Sequence, residues 1–403
     1  MLRLTQRRLT SRLYSTSHEH KIYALPFKLD QSKVPEIVHL ASYVSEHKFL
    51  AFFKILKGMF QKKIPHVEAS AKSIEVRMAY MPMWYYDMAV SADVIPLDTS
   101  GDKETTLKRM GPERQALGIG IDCYWPGHTW SPMSYLSFGQ PGMLKKADLV
   151  PFTNEMVGED VQVLPFTVSP LEDLAPNVSA LENLELESKV LKGTWTIKNP
   201  KLAFSACYPI YWPVYIAQFQ TEHTENKPTT VVIGGHSPHP PIYKWDESKS
   251  GPEQWINNGP WLNLEVTEHS WQMNFGGSPM AQLLQKYHDN VVGNFSPTKV
   301  DWAEKRIQPY PVYHEQNKKY LKQLFKVWAQ QNMLTQLGTM KDDELTIGVG
   351  DSKFQFKKAG DFRKDIEKKV GDELEVLEEV EPEWLRDYVI EQRQKKDALK
   401  DSE

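Results

Sequence analysis

Cysteine is scarce in this sequence, because Cys123 and Cys207 are the only two among 403 residues. Two thiols so far apart cannot complete a four-ligand zinc site alone, and they do not form the closely spaced pair of a redox centre. Cys207 lies within an aromatic run, where we expect a small buried apolar side chain. The cysteine pattern therefore indicates neither a zinc ribbon nor a thiol enzyme.

The common catalytic and nucleotide-binding motifs are also missing. The sequence contains no GxxxxGK[ST] phosphate loop, no HExxH, no nucleophile elbow and no dinucleotide fingerprint. His236 and His239 stand three apart in a proline-rich turn without a suitably spaced cysteine or acid, so we predict no metal there and no cofactor. These absences argue against an enzyme, although catalytic side chains can also meet from distant positions.

Residues 202–221 form a run without formal charge that contains Pro209 and Pro213. About 20 apolar residues can cross a bilayer as a helix, but each proline would remove a helical hydrogen bond. The remaining residues are largely aromatic or β-branched, which is typical of strands. We therefore predict a strand buried on both faces, and a membrane span is the alternative.

The same kind of run occurs at residues 76–90, with Pro82 inside it. Each run follows a Leu-Pro-Phe tripeptide, at residues 25–27 and 164–166, with a helix-like segment between them. Two copies of a short strand, a helix and a long aromatic strand indicate an internal duplication. The predicted fold class is α+β: a duplicated module of a helix and an antiparallel sheet, with a helical C-terminal extension.

The pairing of these tripeptides with Pro-aromatic strands resembles a repeated module of poorly characterised bacterial proteins. In those proteins similar segments flank zinc-ribbon sequences and often a membrane region. The resemblance covers residues 21–245. This chain lacks the cysteine pairs of the ribbon, so the resemblance does not carry a zinc or nucleic-acid role here.

The first residues have the composition of a mitochondrial transit peptide. Four arginines (Arg3, Arg7, Arg8 and Arg12) alternate with Leu, Ser and Thr, and no acid precedes Glu19. Loss of these four charges would change the net charge from -4 to about -8. A generally acidic protein is a poor candidate for nonspecific nucleic-acid binding. With this segment, the chain looks like a fungal-type mitochondrial accessory protein of unknown activity.

An amphipathic helix is predicted over residues 34–62. Apolar side chains at three-and-four spacing line one face of its second half, opposite lysines. The face packs on the core in one interpretation and lies on the inner membrane or a partner in the other. The residues of this candidate membrane or partner face are Phe49, Phe52, Phe53, Leu56 and Phe60.

The enzyme alternative requires a pocket. Asp87 lies among aromatic residues, and desolvation there would raise its pKa and make it a general acid or base. His128 belongs to an aromatic and proline-rich segment that either lines a pocket or forms an ordered surface loop. The candidate pocket residues are Trp84, Asp87, Trp125, His128 and Trp212.

The last third of the chain is predicted to be mostly helical. A helix begins at Pro279, another spans residues 297–307 and a long one spans residues 312–337. A hairpin and a charged tail split at Pro382 follow. The predicted organisation is a transit peptide (1–17), two α+β repeats (21–148 and 149–275), a helical region (276–340) and a hairpin with a charged helical tail (341–403).

Together these features predict a non-catalytic accessory or scaffolding protein of the mitochondrial matrix or the matrix face of the inner membrane. Following the resemblance, such a protein would support mitochondrial gene expression or respiratory-complex assembly. Its expected partners are proteins of the mitochondrial ribosome or of the respiratory assembly machinery, with peripheral membrane contact. The alternatives are an enzyme with an aromatic-lined pocket and an RNA-binding protein, which would need an exposed basic strip.

Overall fold

The computed structural model describes residues 21–46, 72–97, 114–130, 133–138, 148–179, 181–188, 193–220, 228–238, 240–245, 261–263, 297–338, 340–350 and 353–400. The strands are β1 (Tyr23–Ala24), β2 (Lys72–Pro96), β3 (Arg114–Pro126), β4 (Val150–Pro151), β5 (Val161–Val163), β6 (Glu185–Ser188), β7 (Gly193–Gln220), β8 (Thr229–Gly234), β9 (Ile242–Trp245), β10 (Trp261–Asn263), β11 (Leu345–Gly350) and β12 (Lys353–Lys358). The helices are α1 (Val34–Glu46), α2 (Pro170–Ser179), α3 (Tyr310–Leu337), α4 (Ala359–Val380) and α5 (Glu383–Lys400). The predicted α+β class is confirmed.

The centre of the fold is the antiparallel pair of β2 and β7, which run alongside each other over nearly their whole length. Aromatic and β-branched side chains fill both strands, and these residues suit a pleated surface covered on both sides. Residues 202–220 of this run therefore belong to a strand that is largely buried, as predicted. In the described residues no helix is long and apolar enough to span a membrane.

Shorter strands extend this central pair on both sides. β3 and β8 form antiparallel hairpin partners of β2 and β7, and β9 and β10 continue the sheet beyond β8. β1 pairs in parallel with β7, and β5 pairs in parallel with β2. β11 and β12 form a separate two-stranded hairpin.

Prolines occur in the central strands, where they normally remove a needed donor. Pro82 lies where the outer neighbour of β2 changes from β5 to β3. Pro213 lies at the equivalent change from β1 to β8 along β7. Each proline carbonyl instead accepts a bond from a glycine, at 3.1 Å from Gly127 N and 2.7 Å from Gly235 N. The missing N–H of each proline therefore faces a gap in the ladder.

The two Leu-Pro-Phe segments make matching contacts on the long strand of the other half. Leu25 N donates to Tyr211 O, and Leu164 N donates to Tyr80 O, both at 3.1 Å. In the first copy, the backbone N–H groups of residues 28 and 29 both donate to Gly235 O. In the second copy, those of residues 167 and 168 both donate to Gly127 O. The two segments thus make the same set of hydrogen bonds, whereas the duplication itself stays a prediction.

The side chains of the two halves follow the same correspondence. Phe27 contacts Tyr80 and Tyr215 with ring centroids 5.2 Å apart in each case. Phe166 contacts Tyr211 at 5.1 Å and Trp84 at 4.9 Å. Edge-on aromatic pairs of this kind stabilise beyond their buried area. Each half therefore fixes the other half's long strand.

The two faces of the sheet have different covers. Helices α1 and α2 pack on the face that carries Trp84 and Tyr215. Helices α3 and α5 pack on the opposite face, which carries Tyr208 and Trp212. Helix α4 packs on α3 through a small apolar cluster that includes Ile366 and Leu337. The repeated helices thus share one face, and the C-terminal extension covers the other.

Two predicted elements are corrected. Residues 297–307 form turns instead of a helix, because this segment pairs with β7: Cys207 N donates to Arg306 O, and Gln308 N donates to Cys207 O. The aromatic and proline-rich segment around His128, for which an ordered surface loop was one of the two predictions, begins as the end of β3, where Trp125 is buried. The helix beginning at Pro279 lies outside the described residues.

Candidate functional site

A β-bulge places the main polar cluster of the sheet. The register between β2 and β3 shifts around Asp87, so that Ile121 and Asp122 lie opposite this one residue. Asp122 has a φ of 56°, a left-handed conformation that aspartate tolerates better than most residues. Its backbone N–H donates to Asp87 Oδ1 at 2.9 Å. Bulges redirect side chains and occur often beside functional sites.

Asp87 is completely buried within the sheet face that α3 covers. Tyr208 OH donates to its Oδ2 at 2.7 Å. Burial raises the pKa of Asp87 to about 6, although His314 and these hydrogen bonds act in the opposite direction. The carboxyl group is therefore held in an environment that disfavours its charge.

His314 reaches the bulge from the second turn of α3. Its Nε2 lies 2.8 Å from Asp122 Oδ1 and 3.9 Å from Asp87 Oδ2. The ring stacks on Tyr310, one turn earlier, with centroids 4.2 Å apart. Burial lowers the pKa of His314, but the nearby Asp122 and Asp87 carboxylates outweigh it and the net shift is upward. We call these three residues the Asp87–Asp122–His314 cluster.

Asp122 is the member of the cluster that solvent reaches, since about a third of its side chain is exposed. Tyr310 OH donates to its Oδ1 at 3.1 Å, and Lys318 Nζ lies 3.8 Å from its Oδ2. Burial would raise the pKa of Asp122, but His314, Lys318 and Tyr310 together lower it. The two carboxyl groups thus have pKa values shifted in opposite directions, a pattern found where acid and base roles are separated.

A neutral network continues from the cluster into the C-terminal extension. Asn317 Nδ2 donates to Tyr208 OH at 2.8 Å and to Gln308 Oε1 at 3.0 Å. Trp384 Nε1 of α5 donates to Asn317 Oδ1 at 3.0 Å. Asn317 is completely buried, so these bonds satisfy groups that water cannot reach. The network connects the sheet to α3 and α5.

The predicted pocket residues do not come together at one place. Trp84 and Trp125 lie on the sheet face covered by α2, where Trp84 Nε1 donates to Val168 O at 2.7 Å. Asp87 and Trp212 lie on the opposite face. The period of two along a strand divides residues 84 and 87 between faces. Because they are divided between the two faces of the sheet, the predicted residues do not line a common pocket.

The two predicted histidines of interest lie at equivalent places beside the glycines that contact Pro82 and Pro213, with His128 buried and His236 half-buried. His128 Nδ1 accepts a bond from Trp130 N at 3.1 Å. His236 Nδ1 accepts a bond from Trp212 Nε1 at 3.1 Å. Burial lowers both pKa values to about 4. His239 and the candidate face from Phe49 to Phe60 lie outside the described residues.

The sequence interpretation singled out Asp87 but missed its partners. Asp122 and His314 are separated by 192 positions, and neither belongs to a motif. The available signals were an acid within the glycine-containing strand β3 and a histidine one turn after Tyr310 on α3. The register shift between β2 and β3 brings Asp122 to Asp87, and the packing of α3 on this sheet face brings His314 to both.

The cluster has the composition of a cation site or of an acid–base pair. One oxygen from each carboxylate and one imidazole nitrogen all lie within 4.8 Å of one another. It is the one such group of three or more among the residues that the structure describes. Groups with shifted pKa values are commoner at functional sites than elsewhere.

Comparison with known proteins gives no relative: no protein-family model, no curated protein and no solved structure matches the chain. The resemblance to the repeated bacterial module stays a prediction. A function for this chain therefore has to be argued from its own residues and their geometry.

Proposed function

We propose that this chain is a non-catalytic accessory or scaffolding protein of mitochondria that presents its C-terminal helices to a protein partner. The mitochondrial location is supported by the Arg-rich first residues. A role in gene expression or respiratory-complex assembly is supported by the resemblance alone. The structural support for a protein partner is the distal half of α4.

The distal half of α4 exposes an acidic and apolar surface. Leu374 and Val376 are each about two-fifths exposed. Seven acids and no lysine or arginine occur between Val370 and Leu385. We call this exposed part the α4 distal surface; its members are Asp372, Leu374, Glu375, Val376, Glu378 and Glu379. Exposed apolar side chains rimmed by charge are typical of protein interaction sites.

The charges on this surface do not favour the helix itself. Acids near the C-terminal end of a helix oppose the helix dipole, which favours cations there. α4 has no basic residue in its own last turn, and Arg386 of α5, which donates to Glu378 O at 2.7 Å, offsets only part of this negative charge. A basic partner would reduce the repulsion among these acids and complement the negative charge of the surface. That acidic helix end is the observation that carries the proposal.

Hydrogen bonds connect the α4 distal surface to the sheet through α3 and α5. Asn317 links Tyr208 of β7 to Trp384 of α5 through buried hydrogen bonds. Gln323 Nε2 of α3 donates to Glu373 O of α4 at 2.9 Å. A partner bound at α4 would therefore be held at a fixed position relative to the sheet, as a scaffold requires.

The test is copurification of the tagged full-length chain from mitochondria. We expect a large complex with the unchanged chain and its loss when Leu374→Ser and Val376→Ser are combined. Val312→Ser is the matched control, because Val312 is an exposed apolar residue of α3 that lies outside the α4 distal surface. Thermal unfolding of each variant checks that the fold is kept.

Two results would overturn the proposal. One is a chain that sediments alone and small from mitochondrial lysate. The other is a complex retained equally by the double variant and by the control.

A further inference from the structure

We propose that the Asp87–Asp122–His314 cluster binds one divalent cation of the Zn²⁺ class, with Asp87 Oδ2, Asp122 Oδ1 and His314 Nε2 as its protein ligands. This site is independent of the partner surface on α4. The ion would link β2, β3 and α3 and so join the duplicated sheet to the C-terminal extension.

The spacing of the three ligand atoms fits a bound first-row ion. His314 Nε2 lies 2.8 Å from Asp122 Oδ1 and 3.9 Å from Asp87 Oδ2. With bonds of about 2.0–2.2 Å to nitrogen and carboxylate oxygen, neighbouring ligand atoms lie roughly 3 to 3.5 Å apart. These two distances bracket this range, and all three ligand atoms lie within 4.8 Å of one another, so side-chain shifts of about 1 Å bring them to metal-binding distances.

His314 supplies an observation independent of the two acids. Its side chain is only 3% exposed, and Nε2 points into the cluster. Within the described residues this nitrogen makes no aligned hydrogen bond, despite its short ion-pair distance to Asp122. A buried ring nitrogen normally has an aligned partner. A metal ion is a partner that imidazole suits well.

Hydrogen bonds from neighbouring groups hold the ligand side chains in place, as they do in known metal sites. Tyr208 OH and the backbone N–H of Asp122 fix the Asp87 carboxyl group, and Tyr310 OH fixes that of Asp122. His314 Nδ1, the other ring nitrogen, lies 3.7 Å from a Glu315 carboxylate oxygen. Such outer contacts orient ligands and tune their affinity.

Charge and access also agree with a cation. Two carboxylates and one neutral imidazole would carry two negative charges, and Lys318 at 3.8 Å from Asp122 offsets only one of them. Asp122 and Lys318 are both about one-third exposed, so an ion can enter from this side. Three protein ligands leave a fourth position for water, as in open zinc sites.

The test uses the purified full-length protein after chelator treatment and dialysis. Titration calorimetry with Zn²⁺ should give one site per chain, and Zn²⁺ should raise the thermal unfolding temperature. Asp122→Asn and His314→Gln should each weaken binding at least tenfold. Asp148→Asn and His236→Asn are the controls, since they change an acid and a half-buried histidine outside the cluster, and they should bind like the unchanged chain.

A second measurement needs no variant. Co²⁺ should give the visible absorption bands of a protein-bound ion with nitrogen and oxygen ligands, and Zn²⁺ should remove them. The proposal is overturned if the unchanged chain binds neither ion, or if Asp122→Asn and His314→Gln bind Zn²⁺ as tightly as the two controls. Since α4 plays no part in these readouts, their failure would leave the partner proposal standing.

Discussion

Two histidines withdrawn from solvent, the buried His128 and the half-buried His236, should make the protein sensitive to acid. Burial lowers their pKa values from 6.5 to about 4. In the unfolded chain each imidazole takes up a proton near pH 6.5, whereas in the folded chain it stays neutral until about pH 4. The stabilisation from each neutral histidine is therefore complete above pH 6.5, decreases as the pH falls and is lost below pH 4.

The magnitude follows from the size of the shift. One pKa unit corresponds to about 1.36 kcal/mol. A shift from 6.5 to about 4 then changes the free energy of unfolding by about 2.5 kcal/mol per histidine between pH 7.5 and 4.5. This is a large part of the total stability of a typical domain, which is about 5–15 kcal/mol.

The assay is urea unfolding of His128→Asn and of the unchanged chain at several pH values. Asparagine keeps an acceptor for Trp130 N but does not titrate. We expect the variant to gain about 2.5 kcal/mol relative to the unchanged chain between pH 7.5 and 4.5. Thr335→Ala, an exposed change without a titrating group, should show a constant difference. A His128→Asn difference that also stays constant with pH would refute the reasoning.

Three further substitutions test a close packing contact, a helix position and a buried hydrogen bond. Gly127→Ala should destabilise the fold by about 1–3 kcal/mol, because an added Cβ would lie 2.7 Å from the Pro82 backbone. Gly371→Ala in α4 meets nothing within 4 Å and should instead stabilise by about 0.5–1 kcal/mol, since alanine favours helix; equal effects in urea unfolding would contradict this assignment. Trp384→Phe leaves Asn317 Oδ1 without its donor and should cost about 1–3 kcal/mol. Hydrogen exchange should then increase first in α5, and unchanged exchange there would count against the network.

The fold could be predicted in part because its strongest signals are local. Aromatic and β-branched runs around Pro82 and Pro213 predict long strands, and the tripeptides at residues 25–27 and 164–166 predict the repeat. The spacing of apolar residues and Gly338 predict α3 closely. The helix predicted over residues 297–307 depends on Pro297, which resembles a helix start, whereas pairing with Cys207 decides the conformation of this segment.

The candidate site could not be predicted because it depends on the pairing register of β2 and β3. Nothing in the sequence shows that Asp87 lies opposite two residues of β3 instead of one. A shift by one residue would place Asp122 on the other face of the sheet. The contact with His314 further requires that α3 cover this face, and that depends on α1 and α2 occupying the opposite one. Tertiary packing therefore creates the cluster.

Comparison of the two halves shows that the cluster is a difference between otherwise matching modules. The correspondence of Tyr80 and Pro82 with Tyr211 and Pro213 makes Gln218 the equivalent of Asp87. Gln218 is neutral, and its Nε2 donates to Thr230 Oγ1 at 3.2 Å in the adjacent strand. The second half therefore shows that this position needs only a hydrogen-bonded polar side chain and no buried charge. The first half instead carries an acid and a bulge, and the C-terminal extension brings a histidine to it. Burial of a charged cluster is costly unless its groups are compensated. Its presence in one half only therefore favours a specific role, such as the proposed cation site, over a requirement of the module itself.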